Sequence, residues 1–158
     1  PDAGVSDDGY DEAGNRVRQL RRQSAAQTVP THYRYDALNR LVAVDYPTDT
    51  DIGYSYDDAT PGRNAVGRLS AMTDASGTTL FDYDARGNLV RRRLQGPGGQ
   101  YDIAYRYDDA SRVAAIDYPS GLRLAVNRDA AGRASALRAE VGGASIALAS
   151  GITWQPFG

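Results

Sequence analysis

Tyr33-Arg34-Tyr35-Asp36-Ala37-Leu38-Asn39-Arg40-Leu41-Val42-Ala43-Val44-Asp45-Tyr46-Pro47 decides the fold, because it returns 72 positions later. The second copy, from Tyr105 to Pro119, reads YRYDDASRVAAIDYP and keeps nine identities in 15 positions. Chance does not produce such a match. The chain is an internal repeat, and periods of this size belong to arrays and solenoids.

The same start recurs along the chain: an aromatic, any residue, then Tyr-Asp. It stands at Tyr33–Asp36, Tyr54–Asp57, Phe81–Asp84 and Tyr105–Asp108. A shorter form, Tyr10-Asp11, precedes them, and a worn one, Asn127-Arg128-Asp129, follows. Asp36 to Asp57 and Asp108 to Asp129 are each 21 residues, whereas Asp57 to Asp84 is 27. The excess is the inserted loop Thr60–Val66, after which Gly67-Arg68-Leu69 restores the pattern.

Each unit reads as a β-hairpin. Asp opens a type I turn because its carboxylate can accept the N–H two residues on. Asn39, Gly87 and Ser111 fall at the fourth position, where the backbone turns left-handed and Gly or Asn is at ease. That turn sets an expected register of Asp36 opposite Arg40, Tyr35 opposite Leu41 and Tyr33 opposite Ala43. Tyr33 and Tyr35 then share one face, with Arg34 on the other. In the first unit Arg16 stands where the others have Leu, which predicts a shifted or frayed hairpin.

Neighbouring hairpins must pair, since a lone hairpin is marginal in water. The fold class expected is therefore all-β: tandem antiparallel hairpins of about 21 residues forming one long curved sheet. Units fall near 10–32, 33–53, 54–80, 81–104, 105–126 and 127–150, with 151–158 beginning another. Pro47 and Pro119 are expected to end strands. Residues 48–53 and 95–100 read as loops. Segment 18–29 shows no clear pattern and reads as loop or irregular strand. Val141-Gly142-Gly143-Ala144 suggests a turn before the apolar strand Ile146–Ala149. Neither end reads as the end of a gene product, so the chain is taken as a piece of a larger protein.

Composition removes several function classes. The net charge is −2 and all 18 basic residues are Arg, interleaved with 20 acidic ones. The runs Arg21-Arg22 and Arg91-Arg92-Arg93 read as solvated strand faces, so no basic field for nucleic acid is expected. Without cysteine there are no disulfides or thiolate metal sites. No apolar run approaches the roughly 18 residues of a membrane span.

Tyr35-Asp36 with Asn39-Arg40-Leu41, Tyr56-Asp57 with Gly67-Arg68-Leu69, Tyr83-Asp84 with Gly87-Asn88-Leu89, and Tyr107-Asp108 with Arg112-Val113 resemble the YD repeats of the Rhs family. That family is shared with the shell-forming subunits of bacterial ABC-type toxins and with the teneurins. Pro61–Leu69 and the closing Gln155-Pro156-Phe157-Gly158 are similar to stretches of bacterial Rhs proteins. The resemblance implies a spiral β-shell around a C-terminal toxic domain, delivered from the cell, often by type VI secretion. It implies as partners the neighbouring repeats, the enclosed toxin and secretion-apparatus proteins. The cleavage region that frees the toxin, and the toxin itself, have no counterpart in this sequence.

No catalytic, cofactor-binding or metal residues are assigned, and the segment is expected to be non-catalytic. His32 is the only histidine and directly precedes a hairpin strand, so it reads as a strand residue and not a triad base. The aspartates sit mostly at turn positions, where they have a structural reason to exist. Asp49-Thr50-Asp51-Ile52-Gly53 lacks the further oxygen ligands of a calcium loop, and Gly96-Pro97-Gly98-Gly99 lacks the Lys and helix of a phosphate loop. The alternative to a shell wall is an extracellular module whose exposed tyrosines stack on cell-surface glycans. The two open sheet edges predict aggregation or a need for neighbouring repeats.

Overall fold

In the computed structural model, which describes residues 6–24 and 27–155, the chain is a single antiparallel sheet. Its strands are β1 (Ser6–Tyr10), β2 (Arg16–Ser24), β3 (Gln27–Tyr35), β4 (Leu41–Asp45), β5 (Ile52–Tyr56), β6 (Leu69–Asp74) and β7 (Gly77–Tyr83). They continue as β8 (Leu89–Gly96), β9 (Gly99–Tyr107), β10 (Val113–Asp117), β11 (Arg123–Arg128), β12 (Ala134–Val141) and β13 (Ala144–Ala149). All 13 lie side by side in sequence order, in one open, curved sheet. Every strand pairs with the one before it because every connection is short enough to reverse the chain in place.

The turn chemistry acts as the sequence predicts. Asn39, Gly87 and Ser111 have φ of 59°, 89° and 58°. The Asp36 N–H donates to the Arg40 carbonyl at 3.0 Å, and Asp84 and Asp108 do the same to Asn88 and Arg112. The first unit keeps this geometry: Tyr10 faces Arg16, and the Asp11 N–H donates to the Asn15 carbonyl at 2.9 Å. It is not shifted, because the turn and not the residue opposite Tyr fixes the register.

The register beyond the turn differs from the sequence expectation. Tyr35 does face Leu41, but Arg34 faces Ala43 and Tyr33 faces Val44. Val42 is an extra residue, a β-bulge, and it moves the later pairing by one position. Ser70 and Val90 occupy the same place in later units, as the pairs Tyr56–Leu69 with Ser55–Ala71 and Tyr83–Leu89 with Asp82–Arg91 show. Alternation by twos cannot reveal one inserted residue.

The open reading of segment 18–29 is decided as strand, and two loop readings change. Segment 18–29 supplies parts of β2 and β3, whose register runs from Arg18–His32 to Ser24–Gln27. Residues 95–100 are not a loop, since Gln95 pairs with Gln100 and Gly96 with Gly99, leaving a two-residue Pro97-Gly98 turn. Ile52 and Gly53 belong to β5 and pair with Val44 and Ala43. Pro47 and Pro119 lie just past the ends of β4 and β10, and Val141–Ala144 is a turn. Within the closing Gln155–Gly158 stretch, residues 156–158 lie outside the described residues.

The sheet is one layer thick. The cross-strand pairs place Tyr33, Val44, Ile52, Tyr54, Met72, Ile103, Tyr105, Ile116, Leu124 and Leu137 on one face. The other carries Arg34, Asp45, Asp82, Arg91, Asp102, Arg106, Asp117 and Arg123. Among the described residues no large side chain is fully buried; Ala43, Val44, Ala65 and Ala115 are the buried apolar ones. Stability therefore rests on lateral contacts between units, and the residues that make them are the site of interest.

Candidate functional site

The Asp turns line one end of the strands. In those of Asp11, Asp36, Asp84 and Asp108, one carboxylate oxygen accepts two backbone N–H groups: Asp36 Oδ1 takes those of Leu38 at 2.9 Å and Arg40 at 3.0 Å. Asp84 does so with Arg86 and Asn88, and Asp108 with Ala110 and Arg112. The second oxygen holds the side chain at the end of the turn, Arg40 Nε at 2.8 Å or Asn88 Nδ2 at 2.8 Å. Bonds that exist only to the charged form hold these carboxyls below the usual range. The Arg40 N–H is the main cause for Asp36, the Asn88 amide for Asp84 and the Arg112 N–H for Asp108.

The tyrosine before Asp36, Asp57, Asp84 and Asp108 points at the preceding unit. Tyr35 Oη donates to the Arg16 carbonyl at 3.1 Å, and Tyr56 Oη to Leu41, Tyr83 Oη to Leu69 and Tyr107 Oη to Leu89, each at 2.8 Å. These carbonyls lie beyond the paired part of their strand: β4 meets β5 only at Ala43 and Val44, and Leu41 stands before the bulge. The phenol thus supplies the donor that a diverging neighbour strand withholds. Burial raises the hydroxyl pKa of Tyr56, Tyr83 and Tyr107.

Two further residues fill this role without being tyrosine. In the worn unit Arg128 Nη2 donates to the Val113 carbonyl at 2.8 Å. In the last, Trp154 Nε1 donates to the Ala134 carbonyl at 2.8 Å. Six successive units are stapled by the same bond, made by phenol, guanidinium or indole. Sequence reasoning saw Tyr and not its partner; Arg128 and Trp154 were visible only as residues standing in the Tyr position before Asp129 and Gln155.

Arginine ties adjacent turns. Arg40 Nη2 reaches Asp57 Oδ2 at 2.6 Å, and its guanidinium lies 4.4 Å from the Tyr56 ring centre. Arg68 approaches Gly87 so closely that a Cβ there would lie 2.6 Å from Nη2. The inserted loop is also a tie. Arg63 Nε donates to Asp82 Oδ1 at 2.7 Å, Nη1 pairs with Asp58, and Ala65 is fully buried. The Asp82 carboxylate is the main reason the Arg63 guanidinium becomes harder to deprotonate.

His32 is an exposed residue of β3, opposite Asp45 and Arg18. Asp51 Oδ1 accepts the Tyr46 N–H at 2.8 Å and closes the β4–β5 connection. Among the described residues no group of three or more His, Cys, Asp or Glu is arranged to hold a metal. Gly96 and Gly77 allow neighbouring hairpin tips to touch, since a Cβ at Gly96 would collide with the Ser76 carbonyl. On the charged face a shallow depression of about 540 Å³ is walled by Asp82, Arg91, Asp102 and Asp117. Each of these carboxylates is ion-paired, to Arg63, to Arg91 and Arg93, and to Arg106 and Arg123 respectively. The Arg91-Arg92-Arg93 run splits by alternation, its outer members pairing with Asp102 and Arg92 facing Phe81 and Ile103. No helix among the described residues is long and apolar enough to cross a membrane.

This arrangement defines a class: a one-layer ribbon of Tyr-Asp hairpins locked unit to unit by side-chain-to-carbonyl staples. The RHS Repeat family model matches residues 63–100, from Arg63 through the Tyr83-Asp84 turn to the start of β9. Probable deoxyribonucleases RhsA and RhsB of Dickeya dadantii (strain 3937) are each 28% identical over 137 residues, covering 78% of this chain and 9% of their own length. The RHS Repeat match and the similarity to RhsA and RhsB support membership of the Rhs/YD-repeat family. It spans less than a tenth of the curated relatives it matches.

Solved structures share the fold. TcdB2-TccC3 without its hypervariable C-terminal region superposes with a TM-score of 0.78 at 15% identity, over 97% of this chain and 9% of that one. The Tc holotoxin pore of Photorhabdus luminescens gives 0.77 at 16% identity, over 97% and 8%.

Proposed function

We propose that this chain is a non-catalytic wall segment of an Rhs-type shell that encloses a toxin domain before delivery to a target cell. The observation that carries the reading is the staple ladder. Its aromatic hydroxyls and ion pairs are consumed within the sheet, which makes a wall and leaves little for a substrate. The fold shared with Tc toxin proteins supports the same reading. The repeat units near 10–32 through 127–150 then act as successive steps of one wall, with neighbouring repeats of the same polypeptide at its edges. Any deoxyribonuclease activity of the parent resides outside this segment, and the parent leaves the cell by a secretion system, type VI being the family's usual route.

The alternative, a glycan-binding module, draws on the tyrosine-rich face. The wall reading is better supported because the hydroxyls of Tyr35, Tyr56, Tyr83 and Tyr107 are already donated. Cryo-electron microscopy of the full-length parent tests both. A closed hollow shell with this sheet in its wall and density inside is the expected result. An open ribbon presenting its aromatic face to solvent overturns it.

A further inference from the structure

Along the rim of turns, the residue that ends one turn meets the left-handed residue of the next. Asn15 Nδ2 donates to Asn39 Oδ1 at 2.9 Å, and Asn88 Nδ2 to Ser111 Oγ at 3.1 Å. Where the ending residue is Arg68 or Arg112, the next turn carries Gly instead of a side chain. A Cβ on Gly87 would lie 2.6 Å from Arg68 Nη2, and one on Gly132 would overlap Arg112 Nη1 and lie 2.7 Å from its Cζ. Both guanidiniums are held in place. Arg68 Nη1 donates to the Asn64 and Val66 carbonyls at 3.0 and 3.3 Å, and Arg112 Nε to Asp108 Oδ2 at 2.8 Å. The left-handed backbone does not by itself demand Gly, since Asn39 and Ser111 hold φ of 59° and 58°.

We infer that this contact selects neighbours: the residue ending each turn decides which hairpin can stand beside it. Arg is long and needs the open space over a Gly. Asn is short and needs a small polar side chain that it can bond. Both turns with a side chain at the left-handed position, those of Asn39 and Ser111, follow turns ending in Asn15 and Asn88. Gly67, Gly87 and Gly132 follow turns ending in Arg40, Arg68 and Arg112. The Arg40 joint shows what the steric contact requires. There the Thr60–Val66 insertion separates Asp57 from Gly67, Arg40 bonds Asp57 instead, and a Cβ on Gly67 would meet nothing within 4 Å. In the sequence, the turn ending in Arg133 is followed by Gly158, which stands three residues after Gln155 as Gly132 stands three after Asp129. A clash against the wrong neighbour together with a bond to the right one is how specificity arises. A repeat array needs it, because its units offer similar edges and misassembly between units is their characteristic failure. The selection acts within the sheet and does not rest on the shell reading.

Hydrogen–deuterium exchange followed by mass spectrometry, on the full-length parent, tests the inference at the Arg68–Gly87 joint. Gly87→Asn preserves the left-handed conformation, which Asn tolerates, and so isolates the effect of the added side chain. It is expected to speed exchange in the peptide spanning the Asp84–Asn88 turn by about fivefold or more, as overpacking favours local opening. In a parent that already carries Arg68→Asn, the same change is expected to cost no protection, because the shorter neighbour leaves room. Gly67→Asn is the control, with no neighbour within 4 Å, and is expected to leave exchange in its own turn unchanged. Equal acceleration by Gly87→Asn with and without Arg68→Asn overturns the inference. So does no acceleration at all, or an equal response to Gly67→Asn. If Gly87→Asn alone yields no folded parent, the double variant decides: a folded double variant upholds the selection, and loss of both overturns it.

Discussion

Tyr83→Phe isolates the staple from the ring. The substitution keeps the aromatic contact with Leu89 across the hairpin and removes only the hydroxyl that donates to the Leu69 carbonyl at 2.8 Å. A neutral hydrogen bond is worth about 0.5–1.5 kcal/mol net, and a buried acceptor left unpaired costs about 1–3 kcal/mol. The Tyr83–Leu69 bond is part-buried, so water partly replaces the lost donor. The expected loss is about 1 kcal/mol. Removing all four hydroxyls of Tyr35, Tyr56, Tyr83 and Tyr107 is then expected to cost about 4 kcal/mol, because the staples lie in separate units and distant effects add. That is a large share of the roughly 5–15 kcal/mol of a typical domain. Urea unfolding followed by circular dichroism measures it. Tyr101→Phe is the control, since Tyr101 is 49% exposed and bonds only to the nearby Gly98 carbonyl; it is expected to change stability by under about 0.5 kcal/mol. If the four-fold variant unfolds at the same urea concentration as wild type, the ladder does not hold the units together.

The turn geometry predicts that Gly87→Val destabilises its hairpin by about 1–2 kcal/mol, because φ is +89° and a branched side chain resists the left-handed region; thermal unfolding checks it. Arg63→Ala is expected to cost about 1.5–3 kcal/mol through loss of its charge-assisted bonds, and to expose the Thr60–Val66 loop to limited proteolysis. The depressed carboxyl pKa values of Asp36, Asp84 and Asp108 set the pH response. A folded pKa below the unfolded value of about 3.9 gives stability that is complete above the unfolded value and lost as pH falls through the folded one. The urea midpoint is therefore expected to be insensitive to these groups above about pH 5 and to fall below about pH 4; a midpoint unchanged down to about pH 2 would remove the carboxylate turns from the stability account.

The turns, the hairpins and their order were legible in the sequence because each is a local matter. Asp, Asn and Gly state their backbone preferences within five residues, and a repeat states itself by recurrence. The all-β class followed, and so did the pairing of Tyr35 with Leu41. The bulge was not legible: one extra residue such as Val42 leaves no mark in a pattern read by alternation, yet it moves Tyr33 from Ala43 to Val44.

The staples required tertiary structure for a different reason. Tyr56 and Leu41 are 15 residues apart and Tyr107 and Leu89 are 18 apart, with a whole strand and turn between them. No local propensity links a phenol to a carbonyl at that separation; the lateral packing of hairpins does. The same packing lets Arg128 and Trp154 do a tyrosine's task, because the position demands a long side chain ending in a donor and not a phenol as such. The sequence alone therefore determined what each unit is. Only the folded sheet decided how one unit holds the next, since that bond is made between side chain and backbone across the curve of the sheet.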